Sequence, residues 1–184
     1  MKSNQTDKAM ANTGRGLTGH HKPYEGDTNE WLTPKNILAA LGKFELDPCS
    51  PVDRTWDTAK KHYNKVDNGL IRPWKGRVWM NPPYGPHTKH WLAKMKEHNN
   101  GIVLIFSRTE TRMFFDYVWD QCSAILFLGG RLRFLSADGT TADNNAGCGS
   151  VLIAYDNQPS TLNHDQLKRC GLRGKFVSFR RKGR

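Results

Sequence analysis

An α/β fold, one sheet covered by helices on both faces, is predicted by three observations on this chain. Short, continuous apolar runs recur at Val78–Met80, Ile102–Phe106, Ala124–Leu128 and Val151–Tyr155, the pattern of strands buried on both faces. Segments with apolar residues at helical spacing, 87–99 and 111–121, lie between them. Glycine, proline and asparagine punctuate the junctions, and no internal repeat is visible.

The elements follow in chain order. Thr33-Pro34 opens the first helix, with Thr33 as N-cap and Pro34 at the first helical position. Ile37, Leu38 and Leu41 form its apolar face, and Gly42 ends it. Phe44–Asp47 reads as a short strand stopped by Pro48. Residues 50–76 are polar and irregular, with a helix expected around Thr58–Tyr63. Val78–Met80 follows Gly76 as a buried strand, then come the turn Asn81–Tyr84 and a helix over 87–99 carrying Trp91, Leu92 and Met95. Ile102–Phe106 suits a buried parallel sheet, and Thr111–Gln121 is an amphipathic helix with Met113, Phe114, Tyr117 and Val118 inward. Ala124–Leu128 is a strand, Arg131–Leu135 a shorter one, 136–149 a polar loop, and Val151–Tyr155 a final apolar strand. Residues 1–26 read as a flexible polar arm, 27–160 as the domain proper and 161–184 as a basic C-terminal element.

A chain of 184 residues suits one domain with a sizeable core. The net charge of +11 points to a polyanionic partner, nucleic acid before a membrane surface. No apolar run approaches the ~20 residues of a spanning helix. The N-terminal stretch lacks the apolar core of a signal peptide, so cytoplasmic residence is expected. Cys49, Cys122, Cys148 and Cys170 are scattered without CxxC spacing, and neither a metal site nor a disulfide frame is expected.

Asn81-Pro82-Pro83-Tyr84 carries the chemistry. An amino group conjugated to a flat ring is a poor nucleophile because its lone pair is delocalised. Two acceptors that take its two N–H bonds draw the nitrogen toward a tetrahedral shape and free that lone pair. The Asn81 side-chain carbonyl and the Pro82 main-chain carbonyl supply such acceptors, while Pro82 and Pro83 remove two backbone donors and restrict the chain. The Tyr84 ring offers a stacking face. This is positional and electrostatic catalysis, with no metal or tuned base required. A loop between the carboxyl end of a strand and a helix is also where α/β folds place ligands. Upstream, Asp47 at a strand end and Asp67 beside a turn are carboxylates able to accept hydrogen bonds from an ammonium or a ribose. Both are equally readable as turn starters.

Several segments share a family pattern in order: Trp31-Leu32-Thr33-Pro34, Leu46-Asp47-Pro48-Cys49-Ser50, Asp67-Asn68-Gly69-Leu70 with Trp74, and Asn81-Pro82-Pro83-Tyr84-Gly85. Together with Gly130–Phe134 and Gly149–Leu152, they resemble the phage-type family of Dam-like DNA N6-adenine methyltransferases over roughly residues 29–155. The resemblance implies a class I S-adenosylmethionine-dependent methyltransferase fold. It implies that Trp31, Thr33 and Pro34 pack over the methionine part of S-adenosylmethionine, that Asp47, Pro48 and Cys49 line the donor site, and that Asp67 lies near the donor's adenosine. Asn81, Pro82, Pro83 and Tyr84 would hold the target adenine. A phage origin, and hence a bacterial host cytoplasm, is implied on the same ground alone. One departure stands out: the Gly-rich turn that many methyltransferases carry after the first strand is replaced here by Asp47-Pro48-Cys49-Ser50-Pro51.

A paired adenine inside a duplex is out of reach, so double-stranded DNA as substrate requires base flipping. Phosphate contacts are expected from Arg131 and Arg133, equally readable as surface salt-bridge formers, and from the C-terminal Lys168, Arg169, Arg173, Lys175, Arg180 and Arg181. That basic run is also readable as a solubilising end, though Phe176 and Phe179 are interleaved in it as in a short strand or docked element. No separate target-recognition domain is evident, which leaves the basic element and the 136–149 loop as sources of selectivity. An RNA adenine or a protein glutamine amide remains an open acceptor, and a non-catalytic nucleic-acid-binding module of the same fold is the alternative from another class. Oligomeric state and recognition motif carry no sequence signal.

Overall fold

The computed structural model describes residues 31–136, 139–140, 146–157 and 160–179. The arm 1–26, part of the 136–149 loop, Arg180 and Arg181 lie outside the described residues. Seven strands form one sheet: β1 Leu46–Asp47, β2 Lys61–His62, β3 Val78–Met80, β4 Gly101–Phe106, β5 Ala124–Leu128, β6 Ser150–Tyr155 and β7 Gly174–Ser178. Their order is β2-β1-β3-β4-β6-β5-β7. The four strands from β2 to β4 are parallel, whereas β6 runs antiparallel between β4 and β5, and β7 is antiparallel to β5.

Period-two alternation builds two cores from the same strands. On one face Val78, Met80, Val103, Ile105, Ile125, Val151 and Ile153 pack with Trp91, Leu92 and Met95 of α2 (Thr88–His98) and with Phe114 and Val118. On the other, Trp79, Ile102, Leu104, Ala124, Leu126, Leu152 and Ala154 pack with Ile37 and Leu41 of α1 (Lys35–Leu41) and Leu167 of α4 (Leu162–Arg169). Helices therefore cover both faces, as the apolar runs predict.

Five expectations change in detail. The residues at Thr58–Tyr63 form a turn and then β2, not a helix. His62 Nε2 faces the amides of Thr58 and Ala59 at 3.2 and 3.3 Å, and Lys61 and Tyr63 donate to Glu45 and Asp47 carbonyls beside them. Residues 131–135 are not a strand, because both edges of β5 are already paired. The chain instead leaves the sheet at Gly129–Gly130, where Gly130 adopts φ +94°, and meets Leu32 in a single bridge to Leu135. The cap position of α1 falls on Pro34, and the buried Thr33 hydroxyl has no hydrogen-bond partner among the described residues. The 111–121 helix is α3 (Arg112–Phe114) followed by a π-helical turn over Phe115–Trp119. Finally, β4 is parallel only on its β3 side. Phe176 and Phe179 lie in or beside β7, the short strand their spacing suggests.

The amino edge of the sheet is tied by one buried cation. Arg77, 7% exposed, donates from Nη1 to the carbonyls of Leu41 and Lys43 (3.0 and 2.9 Å) and from Nε to Asn163 Oδ1 (2.6 Å). Its guanidinium lies 4.2 Å from the Phe44 ring centroid. Asn163 continues the network to the Tyr155 carbonyl, and its amide donates to Asp156 (both 2.8 Å). Arg77→Met strands two main-chain carbonyls and an amide oxygen, so we expect a loss of about 3 kcal/mol in urea denaturation.

Candidate active site

The carboxyl ends of the parallel strands place the sequence motifs side by side. Leu46 pairs with Val78, so the chain leaving β1 at Pro48 emerges beside the chain leaving β3 at Asn81. A single concavity is lined by Pro48–Pro51 after β1, by Asn64, Lys65, Asn68 and Gly69 after β2, and by Asn81–Tyr84 after β3, with Trp31 and Trp91 as side walls.

The Asn81–Tyr84 turn is locked to the helix that follows it. Thr88 Oγ1, in the first turn of α2, donates to the Pro83 carbonyl (2.9 Å) and accepts from the Gly85 amide (3.1 Å). Asn81 Nδ2 donates to the Trp31 carbonyl (3.4 Å), which fixes the orientation of the amide, and its Oδ1 accepts from the Tyr84 hydroxyl (3.4 Å). The Pro82 carbonyl accepts no hydrogen bond among the described residues. Tyr84 stacks on Phe106 at the end of β4 (4.1 Å between centroids, 17° between planes), and Phe134 meets it edge-on at 6.2 Å. Burial pushes the Tyr84 phenol well above its ordinary range, so it stays a neutral hydroxyl.

Where the loops after β1 and β2 meet, glycine arrives from a distance. A Cβ on Gly69 would stand 1.9 Å from the Pro48 carbonyl oxygen, so only glycine lets the second loop close on the first. The close backbone approach missing after β1 is thus supplied across space. The 64–69 turn is held by Asn64 and Asp67: Asn64 Oδ1 accepts from Val66 (2.8 Å) and Asp67 Oδ2 from the Asn64 amide (3.0 Å). Asn68 takes the left-handed conformation at φ 54°.

Of the sequence-predicted donor residues, Trp31, Pro48 and Cys49 line the concavity together with Asn81, Pro82, Pro83 and Tyr84. Thr33, Pro34, Asp47 and Asp67 are not among its lining residues. Asp47 is buried, with Oδ1 accepting from the Cys49 amide (3.0 Å) and Oδ2 accepting from the Thr58 hydroxyl. Its carboxyl shapes the turn after β1. Desolvation, only partly offset by these hydrogen bonds, raises it to about 6. Burial, reinforced by the Asp47 carboxylate, holds the Cys49 thiol well above its usual range; it lines the site as a neutral wall, not as a nucleophile. Ser50, Pro51, Asn64, Lys65, Asn68, Gly69, Trp91, Phe106 and Phe134 carried no site expectation. Of these only the Asn68-Gly69 turn offered a sequence signal.

Of the cations expected to meet phosphate, those among the described residues lie toward the carboxyl end of β5. Gly174 pairs with Leu128 at the carboxyl end of β5, so exposed Arg173 and Lys175 lie beside the Gly129–Gly130 exit that leads to exposed Arg131 and Arg133. The polypeptide runs from the amino edge along α4 to this end, bringing exposed Lys168 and Arg169 with it. Among the described residues no helix is long and apolar enough to cross a membrane, and no cluster of His, Cys, Asp or Glu suits a metal ion.

A doubly wound sheet with one reversed strand between β4 and β5, and ligand loops at its carboxyl edge, is the class I methyltransferase architecture. The family model described as DNA N-6-adenine-methyltransferase (Dam) matches residues 21–173, and the chain belongs to that family of DNA adenine methyltransferases. The match extends beyond the motifs on both sides, into α4 and the connection to β7. No curated protein and no solved structure matches the chain.

The raised Asp47 gives a pH signature. Its folded-state value of about 6 exceeds the ordinary 3.8, so the stability it contributes is complete below pH ~4 and is lost as pH rises through ~6. Between pH 4 and 7 the unfolding free energy of the wild type should fall relative to Asp47→Asn, by on the order of 3 kcal/mol. Parallel pH profiles for the two proteins in urea would count against a buried, raised carboxyl.

Proposed function

We propose that the chain transfers a methyl group from S-adenosylmethionine to the N6 amino group of an adenine flipped out of double-stranded DNA. The observation that carries this reading is the joining, in one concavity, of the Asn81–Tyr84 turn with the loops after β1 and β2. The residues present fit the donor. Gly69 permits the close loop–loop approach, Trp31 and Trp91 give apolar walls, and the orphaned Thr33 hydroxyl lies two residues from Trp31. S-adenosylmethionine, when bound, supplies an electrophilic methyl on a sulfonium.

The chain's own residues do the rest. Asn81 Oδ1, oriented by the Trp31 carbonyl, and the Pro82 carbonyl accept the two N6 hydrogens and release the lone pair toward the donor. Tyr84, backed by Phe106, presents its remaining face to the base, and stacking worth about 1–3 kcal/mol offsets part of the cost of unstacking. The neutral Cys49 thiol does not compete for the methyl. Cations at the carboxyl edge hold the phosphates, and sequence selectivity is assigned to that basic surface and the 136–149 loop.

The test is incubation with unmethylated duplex and S-adenosylmethionine, followed by digestion and mass spectrometry of N6-methyladenine. Asn81→Ala should lose ~100–1000-fold in kcat while donor affinity is kept; undiminished product from that variant would sink the assignment. For the DNA surface, truncation after Asn163 is a poor probe, because it strips β7 from β5 and most of α4. The triple variant Arg131→Gln, Arg173→Gln, Lys175→Gln removes charge and leaves the strand in place. Its log-affinity against log-salt slope should be shallower by about 2–3, and an unchanged slope would place the phosphates elsewhere.

A further inference from the structure

We propose that Lys94 is a positioning residue for the methyl-donor pocket: its ammonium, docked among three carbonyls of the turn after Gly69, holds that turn against Pro48. The inference rests on the reading of the concavity as the donor site.

Lys94 lies on α2, outside the concavity, and is half-buried. Its Nζ donates to the carbonyls of Gly69 (3.2 Å), Leu70 (2.6 Å) and Arg72 (2.6 Å). An ammonium has three donors, and all three are spent on one turn. The contact is therefore unlike that of a solvated surface lysine, and desolvation correspondingly lowers its pKa. Trp74 adds a second restraint: its Nε1 donates to the same Gly69 carbonyl (2.9 Å), and the Lys94 ammonium lies 5.2 Å from its ring centroid. The Trp74 ring in turn stacks on Trp91 (6.4 Å) and meets His98 edge-on (5.8 Å).

Trp91, Lys94 and His98 occupy one stripe of α2, at i, i+3 and i+7. That helix begins immediately after the Asn81–Tyr84 turn and is fastened to it by Thr88. One face of one helix thus grips the donor-side turn, while its first residue grips the acceptor-side turn. Gly69 abuts Pro48 too closely to admit a side chain, so loosening its carbonyl opens the pocket where two loops meet. The hydrogen bonds of Lys94 all go to the donor-side turn, whereas the target-base turn is held by Thr88.

The test compares wild type with Lys94→Met, which keeps the stem and loses the ammonium, and with Lys94→Ala. Calorimetric titration with S-adenosylmethionine should show about tenfold or weaker binding for Lys94→Met, with affinity for duplex DNA within about twofold of wild type, a split that general unfolding would not produce. Hydrogen exchange at the Ile71 amide, which donates to the Asn68 carbonyl, should accelerate. Millimolar ethylammonium should restore part of the donor affinity of Lys94→Ala. Unchanged donor affinity and unchanged exchange in Lys94→Met overturn the inference and leave the site reading standing. A wild-type chain that binds no S-adenosylmethionine overturns the site reading, and this inference with it.

Discussion

The guanidinium of Arg77 sits where α1 ends, β3 begins and α4 starts, and most of the molecule's geometry is referred to it. Burying a cation is costly unless each donor finds an acceptor. Here the carbonyls of Leu41 and Lys43 accept from Nη1 and the amide oxygen of Asn163 from Nε, whereas the buried Nη2 meets no acceptor among the described residues and keeps part of that cost; Glu45 takes the Arg77 main-chain amide at 2.8 Å. Through Asn163 and Asp156 the network reaches the end of β6 and Ser123 before β5. The amino edge of the sheet is thereby fixed across both cores. At the opposite edge the strand ends are committed to no such network, and the loops that leave them are available for ligands.

Two short-range devices turn those loops into a site. Gly69 abuts Pro48 so closely that no side chain fits, and Thr88 closes the Asn81–Gly85 turn on α2. The first is a close backbone approach across space, with the glycine contributed by the loop after β2 and not by the turn after β1. Asp47 is drawn into the same construction as a turn-shaping carboxyl, with both its oxygens already engaged by the chain.

How much of this could be read in advance follows from where each signal resides. β3, β4, β5 and β6 are visible because buried strands concentrate apolar residues, and the target-side turn is visible because its four residues are contiguous. β2 is not visible: Lys61 and His62 are polar, and only the pairing with β1 makes them a strand. α4 is masked by its composition, since Asn163 and Leu167 alone among its residues are fully buried. The 131–135 segment has the alternation of a strand, with Arg131 and Arg133 outward and Phe134 inward, yet no free edge of β5 exists to receive it. Pocket residues such as Asn64, Gly69 and Trp91, and the stack of Phe106 on Tyr84, arise from tertiary proximity, which a linear pattern does not record. Asp47 and Asp67 were legible as carboxylates at turns; that both serve the turns themselves depended on the third dimension.

The strand order also has a consequence in time. β5 pairs with β6 and β7 and with no earlier strand, and β6 fills the gap between β4 and β5. During synthesis, β5 therefore leaves the ribosome with an apolar face and two unpaired edges, and must wait for more than twenty further residues before its first neighbour is made. The Phe106–Tyr84 stack rests on β4, whose second neighbour is the same late strand. A nascent chain that already carries the whole Asn81–Tyr84 turn is on this account still an unfinished fold, with the apolar strand β5 unpaired until the C-terminal segment is released.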